Sequence, residues 1–212
     1  MMRAPEIRPG IALERAAWAC TVLVLAGCAA APPLNLYTLS DGSLPHEGSV
    51  AAADPPPPRG APVIEIARVS LPEYLDSRDL ILRRGDLLER SNSGRWASRL
   101  SVAATDLLTT QLAMHLPAAW VTDEPPAQPP DYRLLVHVDR LDITSSGAGI
   151  VDADWQLVPR NASGEIRRRT HFEMTGTVGT DEAIVHFERA LLDRLASEID
   201  DTQWPGQSKA VR

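Results

Sequence analysis

Apolar and polar positions alternate over the second half of the chain with the two-residue period of strands. Residues 131–144 predict the longest strand, a loop at 145–149 turns the chain back, and residues 151–157 repeat the alternation. A further strand is predicted at Ile166–Val178, after a turn at residues 161–164. Short loops between consecutive alternating strands favour an antiparallel meander. The apolar side of its first two strands is predicted to carry Tyr132, Leu134, Val136, Val138, Val151, Ala153, Trp155 and Leu157.

Shorter strand-like runs precede the meander. Leu36–Leu39 ends at an Asp-Gly turn signal, and Val63–Val69 forms a second apolar run. Residues 80–82 and 87–88 flank a charged Arg-Arg-Gly-Asp turn, which predicts a hairpin. Residues 70–75 predict a turn and a short helix, and residues 119–122 predict a short strand.

Two stretches have the spacing of amphipathic helices. Residues 96–116 carry an apolar stripe and end before Pro117; the stripe comprises Leu100, Ala104, Leu107, Leu108 and Leu112. Thr180 or Asp181 is predicted to cap a last helix. Its apolar stripe comprises Ile184, Phe187, Leu191, Leu195 and Ile199.

These elements predict an α+β fold, a single domain in which two main helices cover one face of a largely antiparallel sheet. The domain is expected over residues 36–201, with a Pro-rich disordered insert at about 42–61 and a loose tail at 202–212. A chain of 212 residues is also too short for most two-domain enzymes.

The amino terminus has the layout of a secretory signal peptide, predicted at residues 1–27. A weakly basic leader precedes the 12-residue apolar stretch AAWACTVLVLAG at 16–27, which is too short to span a bilayer. Leu25-Ala26-Gly27-Cys28 resembles the lipobox of bacterial lipoproteins. The resemblance implies cleavage before Cys28 and its lipidation, with residues 28–35 as anchor and short tether. The alternative is an ordinary core helix with a buried cysteine.

The two cysteines then leave no free thiol, because Cys20 departs with the leader and Cys28 is acylated. Removal of three basic and two acidic residues changes the net charge from −7 to −8. An acidic chain is a poor nucleic-acid binder, and no nucleic-acid partner is expected. Ala29, where retained lipoproteins of enteric-type bacteria carry aspartate, favours the outer membrane by the same resemblance.

Known catalytic motifs are absent from the sequence, so neither an enzyme nor a cofactor is expected. His137 and Asp139 share a strand face and His171 could lie near them, but a polar sheet face explains all three better than a metal site. Arg167–Arg169 is interpreted as a solvated edge. Asp152 and Asp154 share a polar face without a partner suited to acid–base work. Three tryptophans are read as core or interface aromatics: Trp96, Trp120 and Trp155.

Several segments in order resemble one family. They are Leu36–Leu39, Val69–Leu75, Arg78, Leu80–Arg83, Arg95–Ala97, Asp131–Arg133 and Asp152–Leu157. Together they are similar to the auxiliary lipoprotein family of ABC-type transporters, the PqiC-like lipoproteins. The resemblance covers nearly the whole chain after Cys28; Ser77 and the Pro-rich insert depart from the family pattern.

The resemblance implies a non-enzymatic outer-membrane lipoprotein on the periplasmic side, lipid-anchored and assembled as a homo-oligomeric ring. Its expected partners are a periplasmic MCE-domain protein and an inner-membrane permease or ABC transporter of an intermembrane lipid transport system that supports envelope integrity. The alternative is an outer-membrane assembly lipoprotein that acts with a β-barrel in lipopolysaccharide or barrel insertion.

Overall fold

A computed structural model describes residues 33–40, 60–161, 164–201 and 204. The predicted signal peptide at 1–27, Cys28, and most of the insert at 42–61 and of the tail at 202–212 lie outside the described residues. The described elements belong to one compact unit, and the expected α+β single domain is confirmed. They are β1 Asn35–Tyr37, β2 Val63–Ile66, β3 Asp79–Arg84, β4 Leu87–Trp96, α1 Leu100–His115, β5 Trp120–Thr122, β6 Tyr132–Ile143, β7 Ala148–Pro159, β8 Ile166–Thr175 and α2 Asp181–Asp200.

The described strands divide between two mixed sheets. A five-stranded sheet has the order β5-β2-β6-β7-β8, and a three-stranded sheet has the order β1-β4-β3. The meander β6-β7-β8 is antiparallel, as predicted. However, β2 pairs in parallel with both β5 and β6, and β1 pairs in parallel with β4. Parallel neighbours need a long crossover, which here includes the hairpin β3-β4 and helix α1.

The register of the meander places its apolar residues on one face. Leu134 lies opposite Leu157, and Val136 lies opposite Trp155. These four residues are buried. Helix α1 packs against α2, β2 and β5, and α2 also contacts β3, β4, β7 and β8. Both predicted apolar stripes of the helices are buried. The core therefore lies between the helices and the inner face of the five-stranded sheet. It extends to the three-stranded sheet through the contacts of α2 with β3 and β4.

Two predictions about helices are wrong. The helix predicted from residue 96 begins at Leu100, because β4 continues through Trp96, which pairs with Tyr37 and donates its backbone N–H to Arg78 O at 2.7 Å. Residues 70–75 form no helix; Leu75 N–H donates to Pro72 O in a turn. The predicted cap of α2 is confirmed, since the Thr180 hydroxyl accepts a hydrogen bond from the Ala183 N–H.

Candidate functional site

The first described element after Cys28 in the sequence is strand β1, an edge of the three-stranded sheet. Leu36 lies opposite Arg95 of β4. Leu39, just beyond the strand, is buried in the core. A guanidinium nitrogen of Arg189 in α2 donates to Thr38 O at 3.3 Å and to Ser40 O at 3.2 Å. The segment that follows the predicted anchor is therefore fastened to both β4 and α2.

Beside that attachment, two leucines at the start of the described domain are exposed. Leu34, just before β1, is 54% exposed and Leu36 in β1 is 66% exposed, whereas Tyr37 is packed against the core. We call these two exposed leucines the entry patch.

The sheets meet at a buried carboxylate, Asp142 of β6, which is 4% exposed. Arg83 Nε lies 2.8 Å from Asp142 Oδ2, and Arg140 Nε donates to the same oxygen at 2.7 Å. The Tyr74 hydroxyl donates to Asp142 Oδ1 at 3.3 Å, and the Arg83 guanidinium carbon lies 5.8 Å from the centroid of the Tyr74 ring. Next to this group, Ser145 N–H donates to Arg83 O across the two sheets. We call Asp142, Arg83, Arg140 and Tyr74 the Asp142 cluster.

The negative charge of Asp142 is compensated by two guanidinium groups. Burial alone would raise the pKa of Asp142, but the adjacent Arg83 and Arg140 outweigh it and hold this pKa below its ordinary value. Burial and then the negative charge of Asp142 raise the pKa of Tyr74. The cluster is therefore suited to holding the turn at 70–78 and the hairpin β3-β4 against β6. Tyr74 and Arg83 belong to the segments that resemble the auxiliary lipoproteins, and a structural role accounts for both.

The outer face of the five-stranded sheet carries the polar residues that the sequence singled out. His137 Nε2 lies 3.2 Å from Asp139 Oδ1, and His171 Nδ1 lies 2.6 Å from Asp152 Oδ1. Arg169 lies between these pairs and contacts Asp139 and Asp154. Within the described residues, no three His, Cys, Asp or Glu side chains are grouped to hold a metal ion. The structure thus arranges this face as exposed polar contacts, with Arg169 in ion pairs with Asp139 and Asp154.

The arginine run and the tryptophans take two kinds of position. Arg167 and Arg169 lie opposite Gln156 and Asp154 on the outer face, whereas Arg168 lies opposite Trp155 on the other face, as strand alternation predicts. Trp96 and Trp155 are buried in the core, and Trp120 at the start of β5 is partly exposed.

A groove of about 220 Å³ crosses the outer face. It is lined by Arg68, Ser70, Leu135, Val136, His137, Asp154, Trp155, Gln156 and Arg167. Ser70 belongs to an extension of β2 that runs beside β6, since Ser70 N–H donates to Val136 O and Val138 N–H donates to Ser70 O. The groove is open to solvent rather than enclosed, which suits contact with another molecule better than enclosure of a small substrate.

Sequence reasoning missed Glu188 of α2, which is buried and lines a small cavity. The other residues around that cavity are Leu75, Asp79, Ile81, Leu100, Leu141 and Ile143. Burial raises the pKa of Glu188 to about 8. Its signal in the sequence was its place within the apolar stripe of α2, four residues after Ile184 and three before Leu191.

The described side chains form a stabilised scaffold with an exposed polar sheet face and an apolar entry patch. Ser91 and Ser93 both donate to Asp181 Oδ2, at 2.9 and 2.8 Å, so their hydroxyls serve to join β4 to the start of α2. No helix among the described residues is both long and apolar enough to cross a membrane.

Two solved structures share this fold. One is the crystal structure of an uncharacterized protein, 18% identical, which matches 80% of this chain and 97% of its own with a TM-score of 0.63. The other is the protein XCC0632 from Xanthomonas campestris, 16% identical, which matches 69% of this chain and 85% of its own with a TM-score of 0.53. No curated protein matches the chain.

The family model of the ABC-type transport auxiliary lipoprotein component matches residues 43–200. The chain belongs to this family, so the resemblance found in the sequence is confirmed. Membership indicates an envelope protein that is anchored to a membrane and associates with a transporter. The family is described as an auxiliary component of transport rather than as an enzyme.

Proposed function

We propose that this protein is the outer-membrane lipoprotein of an intermembrane lipid transport system, where it docks the periplasmic conduit and has no catalytic role. Cys28 carries the lipid anchor after removal of residues 1–27. The partners are a periplasmic MCE-domain protein and the inner-membrane permease or ABC transporter associated with it. Copies of the chain assemble as a ring around the end of the conduit, and the system supports envelope integrity.

The observation that carries the proposal is the family match over residues 43–200, downstream of the lipobox-like sequence Leu25–Cys28. An auxiliary component of a transporter acts together with partners, and a lipid anchor at Cys28 would place it at a membrane. At about 3.5 Å per residue, the seven residues 29–35 extend for at most about 25 Å, so the domain stays close to the bilayer.

The outer face of the five-stranded sheet is the surface best suited to meet the conduit. It is broad, exposed and rich in both signs of charge, with Leu135 as an exposed apolar residue among the ion pairs. Such a mixture of polar rim and apolar contact is typical of interfaces between proteins that also exist apart.

Photo-crosslinking in cells tests the proposed partner. A photoreactive amino acid replaces Leu135 on the outer face, and the control replaces Met114, an exposed residue near the end of α1. We expect the Leu135 position to crosslink to an MCE-domain protein and the Met114 position to give a different pattern. Crosslinks from Leu135 to a β-barrel protein would instead favour the assembly lipoprotein and overturn the proposal.

A further inference from the structure

The exposed side of strand β1 breaks the usual alternation. Strand residues that face the solvent are normally polar when the opposite side covers a core. In β1, Tyr37 packs against the core and is followed by buried Leu39, while Leu36 in the strand and Leu34 just before it are 66% and 54% exposed. Two leucines exposed side by side therefore indicate a surface that is covered in the working state.

The strand also lacks the usual protection of a sheet edge. Edge strands commonly carry charged residues that keep other apolar surfaces away. Residues 33–37 of this chain are Pro-Leu-Asn-Leu-Tyr and carry no charge. Among the described residues, β1 is paired only with β4, which leaves its other side open.

The segment between Cys28 and Leu34 indicates which surface covers Leu34 and Leu36. Only five residues, 29–33, separate Cys28 from Leu34, and they are three alanines and two prolines without a charge. Fully extended, the six steps from Cys28 to Leu34 reach about 20 Å at most. An anchor at Cys28 therefore keeps both leucines near the membrane surface, and nothing in the connecting segment opposes their approach to it.

We infer that Leu34 and Leu36 form a second contact with the membrane, inserting into the lipid interface beside the acyl chains of Cys28. The inference rests on the proposed anchoring at Cys28. The hydrophobic effect favours removal of the leucine side chains from water, and the interface is the apolar surface within their reach. Two points of attachment orient the domain on the membrane, whereas a single point of attachment does not.

Site-directed fluorescence in lipid vesicles tests this contact on the full-length, processed protein. Once Cys20 has left with the leader and Cys28 is acylated, Leu36→Cys supplies the only free thiol for an environment-sensitive dye. The vesicles contain phosphatidylethanolamine and phosphatidylglycerol, with or without a nitroxide on the upper acyl chain as a quencher. Leu34→Cys serves as a second test position.

Leu87→Cys is the matched control, because Leu87 is a leucine of the same sheet with 57% exposure. The distance between Leu36 and Leu87 can be counted along β3. Leu36 lies opposite Arg95, which pairs with Asp79 of β3, whereas Leu87 pairs with Arg84 of β3. About five residues of β3 therefore separate Leu36 from Leu87. This corresponds to about 17 Å along the strands. Thermal unfolding of each labelled variant verifies that the domain is folded.

We expect several-fold stronger nitroxide quenching at positions 34 and 36 than at position 87. Equal, weak quenching at all three positions in protein that sediments with the vesicles would overturn the membrane contact and leave the anchor intact. Protein that fails to sediment with the vesicles would overturn the anchor at Cys28 and, with it, the contact that depends on it.

Discussion

Two buried carboxyl groups, Asp142 and Glu188, occupy opposite electrostatic environments. Asp142 is surrounded by Arg83, Arg140 and Tyr74, so its charge is compensated. Glu188 makes no hydrogen bond or ion pair within the described part of the chain, and its only charged neighbour around the cavity, Asp79, is paired with Arg95 at 3.0 Å. The first group is therefore expected to stabilise the fold as an anion, and the second only as a neutral acid.

Glu188→Gln is expected to stabilise the protein at neutral and alkaline pH. The pKa of Glu188 is about 8 in the folded state against an ordinary value of 4.5, so the folded state holds a proton that the unfolded state releases. The contribution of protonated Glu188 to the free energy of unfolding is complete below pH 4.5 and is lost as the pH rises towards 8. Between these values the free energy of unfolding falls by about 1.4 kcal/mol per pH unit. Glutamine lacks this dependence.

Urea unfolding at pH 5, 7 and 8.5 measures the difference. The advantage of Glu188→Gln over the unmodified chain should grow with pH across this range. Glu173→Gln, at an exposed position of β8, provides the control and should leave the pH profile unchanged. A Glu188→Gln profile that runs parallel to that of the unmodified protein would contradict the buried, unpaired environment.

Asp142→Asn is expected to destabilise the domain by about 2–3 kcal/mol, because it leaves Arg83 and Arg140 without their anion. Asp139→Asn, which removes a largely exposed ion pair with Arg169, should cost less than about 1 kcal/mol. Since the pKa of Asp142 is lowered on folding, its contribution is present above the ordinary range of an aspartate and is lost as the pH falls through the folded pKa. Chemical denaturation at pH 7 compares the variants, and equal losses would argue against a structural role for the cluster.

At the scale of elements, the junction between β4 and α2 depends on close packing. Asp181 begins α2 and accepts hydrogen bonds from Ser91 and Ser93, and Gly94 lies directly beneath it. A Cβ atom at Gly94 would lie 2.6 Å from Asp181 Oδ2 and 2.6 Å from Leu80 Cδ1. Only a residue without a side chain allows the strand and the helix to approach so closely.

Gly94→Ala is therefore expected to destabilise the domain by about 1–3 kcal/mol through overpacking. Gly179→Ala is the matched control, because a Cβ there meets no atom within 4 Å and its backbone is not in the left-handed region. Thermal unfolding distinguishes them: the melting temperature should fall for Gly94→Ala and stay nearly constant for Gly179→Ala. Similar melting temperatures for the two variants would show that the junction between β4 and α2 accommodates the added methyl group without loss of stability.

The elements that the sequence predicts best are those whose periodicity is uninterrupted. The alternation in β6 and β7 and the stripe of α2 come directly from their apolar spacing. The start of α1 was wrong because Arg95 and Trp96 fit the first turn of a helix as well as the end of a strand. Trp96 instead pairs with Tyr37, about 60 residues away in the sequence, and this pairing stabilises the strand. A contact between such distant residues cannot be predicted from the sequence around Trp96.

At the scale of the whole molecule, the division into two sheets could not be predicted from periodicity. Strand patterns show which side chains share a face and not which strands become neighbours. The parallel partners of β2 come from the path of the chain through β3, β4 and α1. Asp142 lies where this path brings the sheets together, flanked by buried Leu141 and Ile143, and its partners Tyr74 and Arg83 come from distant segments. The family resemblance, in contrast, could be recognised from the sequence because it depends on the order of short segments along the chain.

The proposed function assigns a role to each of these parts. The domain is tightly packed, has exposed polar and ionic contacts on its outer sheet face, and begins at β1. In the proposal, the lipid anchor at Cys28 and the entry patch place the molecule on a membrane, and the outer sheet face meets the partner. On this account, the loss of Cys28 removes the function while it leaves the fold unchanged.

Affinity purification of the full-length protein from detergent-solubilised membranes, followed by mass spectrometry, tests the central claim most directly. Cys28→Ala serves as the matched control. We expect recovery of an MCE-domain protein with the unmodified chain, together with its permease or ABC transporter, and loss of these partners with Cys28→Ala. Repeated purification of the lipidated protein without any MCE-domain protein would contradict it.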